Sequence, residues 1–134
     1  MKGNRVLDSS ALLAYFQGEK GCLHVKEILK EAAEKGADLF LSVVNWGEIL
    51  YVTEHKYGEA KRSDIESLMS QMHLNLVDAD QELTREAAHL KTKTKLPYAD
   101  CFAAALALIK KAELVTADHD FRVVEDKIRI LWVE

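Results

Sequence analysis

Four acidic residues stand where chemistry could be done: Asp8, Glu48, Asp100 and Asp118. They are far apart in the chain, but each follows or opens a stretch with a clear structural reading. Asp8 ends the apolar run Arg5–Asp8, and Asp118 stands just past the apolar run Glu113–Thr116. Asp100 lies in the opening turn of LPYADCFAAALALIKKA, and Glu48 lies about two turns into a helix that follows Asp38–Ser42. Carboxylates gathered in one pocket repel each other and raise one another's pKa values, which folding tolerates most easily around a cation. Oxygen donors without a cysteine or histidine cluster suit Mg²⁺ or Mn²⁺. Such an ion can activate water and steady the charge on a phosphate under attack. Taken singly, Asp100 can be a helix-start charge and Glu48 a surface glutamate; it is their shared placement that points to a site.

The elements that must position these acids can be read in order. Arg5 to Asp8 reads as the first strand, after which Ser9 or Ser10 can cap a helix carrying Leu12, Leu13 and Phe16. Gly18 and Gly21 break it, and a second helix runs from about Leu23 to Lys35, ending on Gly36. Asp38–Ser42 is the second strand. Ser42 caps a third helix through Trp46, Ile49, Leu50 and Val52, closed by His55, Tyr57 and Gly58. Residues 59–72 form a charged amphipathic helix, and His73–Val77 the third strand. Asp78 or Asp80 caps the next helix, through Leu83, Ala87, Ala88 and Leu90.

The helix that carries Asp100 opens on Pro97 as its first residue, where the missing N–H costs little. The positive helix end favours an ionised Asp100, and Lys110 and Lys111 suit the last turn. Glu113–Thr116 is the fourth strand, Phe121–Val124 a helical turn and Ile128–Val133 the last strand. Strands alternate with helices throughout, which predicts an α/β fold with a doubly wound, five-stranded parallel sheet. The order 3-2-1-4-5 reverses between strands one and four, and ligands bind at the carboxyl ends at such a reversal. Asp8 and Asp118 follow those two strands.

The bulk numbers agree with one domain, residues 1–134, at 134 residues with 49% hydrophobic and 30% charged residues. A net charge of −4 gives no overall basic footprint for nucleic acid, although a metal ion can offset a local acidic cluster. The run Lys91, Lys93, Lys95 reads as a solvated connection rather than a set of phosphate contacts. Cys22 and Cys101 read as reduced thiols without zinc-site spacing. No signal peptide or membrane-spanning stretch is evident, so a cytoplasmic location is expected. No GxSxG, Walker A or GxGxxG sequence is present. A response-regulator receiver is a rival small α/β domain. It needs an acidic pair after strand one and a lysine after strand five, and Asp8-Ser9-Ser10 supplies no such pair.

Four blocks, VLDSSALLAYF, SVVNWGEIL, LPYADCFAAALA and LVTADHDF, resemble the PIN-domain family in order and spacing, and within it the VapC-type toxin ribonucleases. The resemblance spans the chain. It implies a Mg²⁺- or Mn²⁺-dependent endoribonuclease whose four acids match Asp8, Glu48, Asp100 and Asp118. Thr116 matches a hydroxyl position before the fourth acid, Ser9 a small polar position beside the first, and Asp120 a position that is often acidic. It further implies an RNA substrate, a homodimer and a cognate antitoxin protein. The antitoxin would meet apolar side chains such as Tyr15, Phe16, Trp46 and Tyr51, which are otherwise read as core. Other members act in RNA processing without an antitoxin, and a PIN-like interaction module without catalysis is the alternative from another class.

Overall fold

The structure is a computed structural model and describes residues 3–134. Its strands are β1 (Arg5–Leu7), β2 (Leu39–Ser42), β3 (Asn75–Val77), β4 (Glu113–Thr116) and β5 (Ile130–Trp132). Its helices are α1 (Ser9–Gln17), α2 (Cys22–Lys35), α3 (Val43–Tyr57), α4 (Glu59–Gln71), α5 (Gln81–Lys93) and α6 (Tyr98–Lys110), with a 3-10 turn at His119–Val124. The sheet order is β3-β2-β1-β4-β5 and every pairing is parallel, as the alternation of strands and helices predicts.

The pleat divides the core in two. Alternate strand residues face opposite sides, so Val6 and Leu114 join a cluster with α5 and α6, while Leu7 and Val115 join one with α1 to α4. α6 is the most deeply placed helix, with Cys101 to Ala107 all buried. Its four buried alanines leave little side-chain bulk between helix and sheet, so its first turn, with Asp100, lies close over the strand ends. Buried strands of an all-parallel sheet need apolar residues on both faces, and VL in β1 and LV in β4 supply them.

Several boundaries differ from the sequence expectation. The cap of α1 is neither Ser9 nor Ser10 but Asp8, whose backbone is extended and whose side chain accepts the Ala11 N–H. Pro97 stands just outside α6, and Tyr98 is its first residue. Lys111 has left the helix: it is the left-handed cap at φ 52°, and Lys110 alone ends the last turn. β3 and β5 are shorter than expected because strand pairing reaches only Asn75 and Ile130 at their starts. The turn after β4 begins at His119, two residues early, because Asp118 caps it. Asp80, one of the two candidates, caps α5.

Candidate active site

Asp8 is 1% exposed at the carboxyl end of β1. Its Oδ1 accepts the Ala11 amide at 2.9 Å, and both its oxygens lie 2.9 Å from the Ser10 hydroxyl. The Thr116 hydroxyl donates to its Oδ2 at 2.6 Å. Thr116 Oγ1 also accepts the Asp118 N–H at 2.9 Å, and Ser10 Oγ accepts the Ala117 N–H at 3.1 Å. Two hydroxyls therefore fasten the end of β1 to the end of β4, across the point where the strand order reverses. Burial pushes Asp8 up to about 6 against the lowering effect of these hydrogen bonds, and Asp118 adds to the rise.

Asp100 enters the same space from the first turn of α6. Burial and then, in order, Asp8, Asp118, Glu48 and Asp120 push its carboxyl up to about 7. Here the expectation from the helix dipole is overruled. A favourable helix end is worth about 0.3–1 kcal/mol, less than the combined effect of desolvation and four carboxylates. Asp8, Glu48 and Asp118 are thus near enough to act on the Asp100 carboxyl.

Glu48 is half-buried on α3, and the Ser9 hydroxyl donates to its Oε1 at 2.6 Å. Asp118 is half-buried and spends Oδ1 on the amide of Asp120, whose own side chain is exposed. Ser10 was considered from the sequence only as a helix cap, yet it makes the most contacts around Asp8. Its signal was its place two residues after the strand-ending acid, where a hydroxyl can turn back. Asn45 was not singled out at all. It is fully buried on α3, and its Nδ2 donates to the Ala99 carbonyl at 3.1 Å, which ties the helix of Glu48 to the first turn of α6. An amide in the midst of an apolar helix stripe was the available clue.

The donor set fits a hard cation. It consists of carboxylates and hydroxyls, with burial and mutual repulsion that a positive ion would relieve. Among the described residues no three His, Cys, Asp or Glu side chains are drawn together at metal-ligand spacing. The acids therefore do not form a closed cluster. A broad depression lies elsewhere, around Arg5, Asp38, Glu113 and Arg129 at the amino ends of the strands. Parallel sheets bind ligands at the opposite end, where the acids are. Lys91 braces the chain: its Nζ donates to the Leu96 carbonyl at 2.9 Å, while Lys93 and Lys95 are exposed. Tyr15, Phe16 and Trp46 are half-buried against the second core cluster, and Tyr51 is 65% exposed.

A model of the PIN domain matches residues 5–127. The chain belongs to the PIN-domain family. Solved structures similar to this PIN domain include DNA-bound VapBC from Salmonella typhimurium, with a TM-score of 0.78 and 17% identity over 98% of both chains. VapBC2 from Rickettsia felis, bound to a promoter DNA fragment, has a TM-score of 0.75 and 18% identity over 98% of this chain and 99% of that one. VapC20 from Mycobacterium tuberculosis, described as a Sarcin-Ricin loop cleaving toxin, has a TM-score of 0.74 and 15% identity, covering 90% and 94%. At these identities the likeness is one of fold. No curated protein matches the sequence. No helix among the described residues is long and apolar enough to cross a membrane.

Proposed function

We propose that this PIN domain is a single nuclease unit, a Mg²⁺- or Mn²⁺-dependent endoribonuclease of the VapC type, acting in the cytoplasm and held in check by a cognate antitoxin. The observation that carries the proposal is Asp100, whose carboxyl is raised to about 7 by burial and by Asp8, Asp118, Glu48 and Asp120. Four acids from three segments act on one buried carboxyl at the carboxyl end of a parallel sheet. A site of that kind costs stability and is explained by what it binds.

Asp8, Asp100 and Asp118 would hold the ion, with Glu48 as a further ligand or as the group that orients water. Thr116 and Ser9 hold Asp8 and Glu48 in place, and Asp120 adds negative charge at the rim. The bound ion supplies charge stabilisation at the phosphate and lowers the pKa of water. Asp100 is partly protonated near neutral pH in the ion-free protein and gives up that proton on loading, because ligands must be deprotonated. Ser10, Thr116 and Ala11 occupy the lone pairs of Asp8 that face the protein and so fix the direction of the remaining ones.

The structural neighbours that contain VapB as well as VapC support an antitoxin partner and a fold suited to one. A homodimer is part of the same proposal. Cleavage of a labelled RNA with Mn²⁺, and with EDTA, tests the enzyme. Cleavage abolished by EDTA and by Asp118→Asn is the expected result. A pure wild-type protein inert on diverse RNAs with Mn²⁺ would leave the non-catalytic module as the better reading.

A further inference from the structure

One row of side chains crosses the carboxyl end of the sheet. Leu7 pairs with Val115, so the next positions, Asp8 and Thr116, stand side by side, and Thr116 pairs with Trp132 of β5. All three lie on the α6 face, since Val6, Leu114 and Ile130, two residues earlier on each strand, belong to that core cluster. At roughly 4.8 Å per strand, Trp132 is about 10 Å from Asp8 along this row.

The ring of Trp132 does not end the row. His119, next to Asp118, stacks on it with centroids 5.1 Å apart and planes 12° from parallel. The His119 side chain is 53% exposed, so it presents the outer surface of a two-ring stack. Both signs of charge surround it: Asp118 and Asp120 flank it in the chain, and cations stand farther out. His119 Nε2 lies 3.8 Å from Glu134 Oε2, and Lys20 Nζ lies 3.6 Å from Glu134 Oε1. Lys20 is 82% exposed, and Arg122 on the same 3-10 turn is exposed as well. Gly21 holds the Lys20 loop here: a Cβ on it would lie 3.1 Å from the Val133 backbone.

We propose that the outer face of His119, backed by Trp132, is a stacking platform for a nucleobase of the single-stranded RNA that lies across the acids. The inference rests on the ribonuclease reading and adds a binding subsite to it. Planar rings bind bases of any sequence through their π faces, which suits a strand held mainly by its backbone. Lys20 and Arg122 supply the cations for the neighbouring phosphates, with Glu134 released from Lys20 as a phosphate takes its place. The platform fixes the flanking nucleotide, and the acids then meet the adjacent phosphate.

The test is steady-state cleavage of an unstructured RNA with Mn²⁺ by wild type, His119→Gln and His119→Tyr. His119 is exposed, so these variants fold. His119→Gln removes the ring and keeps a polar side chain; KM should rise about fivefold or more, with kcat and the Mn²⁺ dissociation constant held. His119→Tyr restores a ring and should return KM close to wild type. An unchanged KM in His119→Gln overturns the platform, as does an equal loss in both variants, which would mean charge or hydrogen bonding rather than stacking. Weakened binding of a partner protein with an unchanged RNA KM assigns the stack to that partner and also overturns it. A wild type that cleaves no RNA removes the underlying ribonuclease reading instead, and is distinguishable because it is seen before any variant is made.

Discussion

The Thr116 hydroxyl donates to Asp8 Oδ2 at 2.6 Å and at the same oxygen accepts the Asp118 N–H at 2.9 Å. One fully buried hydroxyl thus couples the first acid of the site to the backbone of the last. Thr116→Val keeps the shape, takes one of the hydrogen bonds from Asp8 and leaves the Asp118 N–H without its partner. It should cost about 1–3 kcal/mol of stability and lower RNA cleavage, whereas Thr116→Ser should restore both. Chemical denaturation of the three proteins measures this. A stable, active valine variant would remove Thr116 from the site.

Ser9 stands in the same relation to Glu48, at 2.6 Å. Ser9→Ala frees the glutamate side chain without touching the other acids. Loss of a group that orients a metal ligand typically weakens the metal by about 10–100-fold. Titration calorimetry with Mn²⁺ should show a loss at the lower end of that range, with melting temperature nearly unchanged. Equal Mn²⁺ affinity in the two proteins would place Glu48 outside the metal shell.

Asp100 carries the opposite sign. Its folded pKa of about 7 stands above the unfolded value of 3.8, so the folded state binds more protons between those limits. Stability then falls as pH rises through that window, and the cost of an ionised Asp100 is fully present above about pH 7. Asp100→Asn removes it. In EDTA at pH 8 the variant should be more stable by about 1 kcal/mol or more, or roughly 3–5 °C in Tm at this size. The advantage should fade as pH falls toward 4. Asp8, raised to about 6, contributes the same sign, and its repulsion with Asp100 is part of what the substitution removes. Melts at several pH values decide it; an asparagine variant less stable than wild type in EDTA makes Asp100 a structural helix-start residue.

Mn²⁺ should reverse the order. At 100 times its dissociation constant the ion stabilises wild type by about 2.7 kcal/mol. Asp100→Asn and Asp118→Asn should gain much less and should not cleave RNA. Equal thermal shifts in all three proteins would mean that the ion binds elsewhere.

Much of the fold was legible in the sequence. The strand order followed from alternation and the placement of Asp8 and Asp118, because a parallel sheet leaves few right-handed ways to connect such elements. What the sequence did not disclose was direction and partnership at single residues. Asp8 caps α1 itself, a role that Ser9 and Ser10 fill equally well by residue type, since Asp and Ser are both good caps. The dipole argument for Asp100 failed because desolvation depends on how closely the alanines of α6 let it approach the sheet. Asn45 and the His119–Trp132 stack join residues 54 or 13 positions apart in the chain, and no local pattern reports such pairs.

The two outer strands, β3 at Asn75–Val77 and β5 at Ile130–Trp132, have three residues each. An open edge of that length offers an incoming strand too few ladder bonds to hold it, which is one way proteins guard against edge-to-edge aggregation. A second copy or a regulating protein of the kind proposed above would therefore meet the helical surfaces, where Tyr51, Tyr57 and Leu68 of α3 and α4 are exposed, in preference to extending the sheet. A self-association contact built on helices can form and dissolve without touching the strand ends that hold the acids. The sheet stays a private framework, and assembly is left to the outer layer.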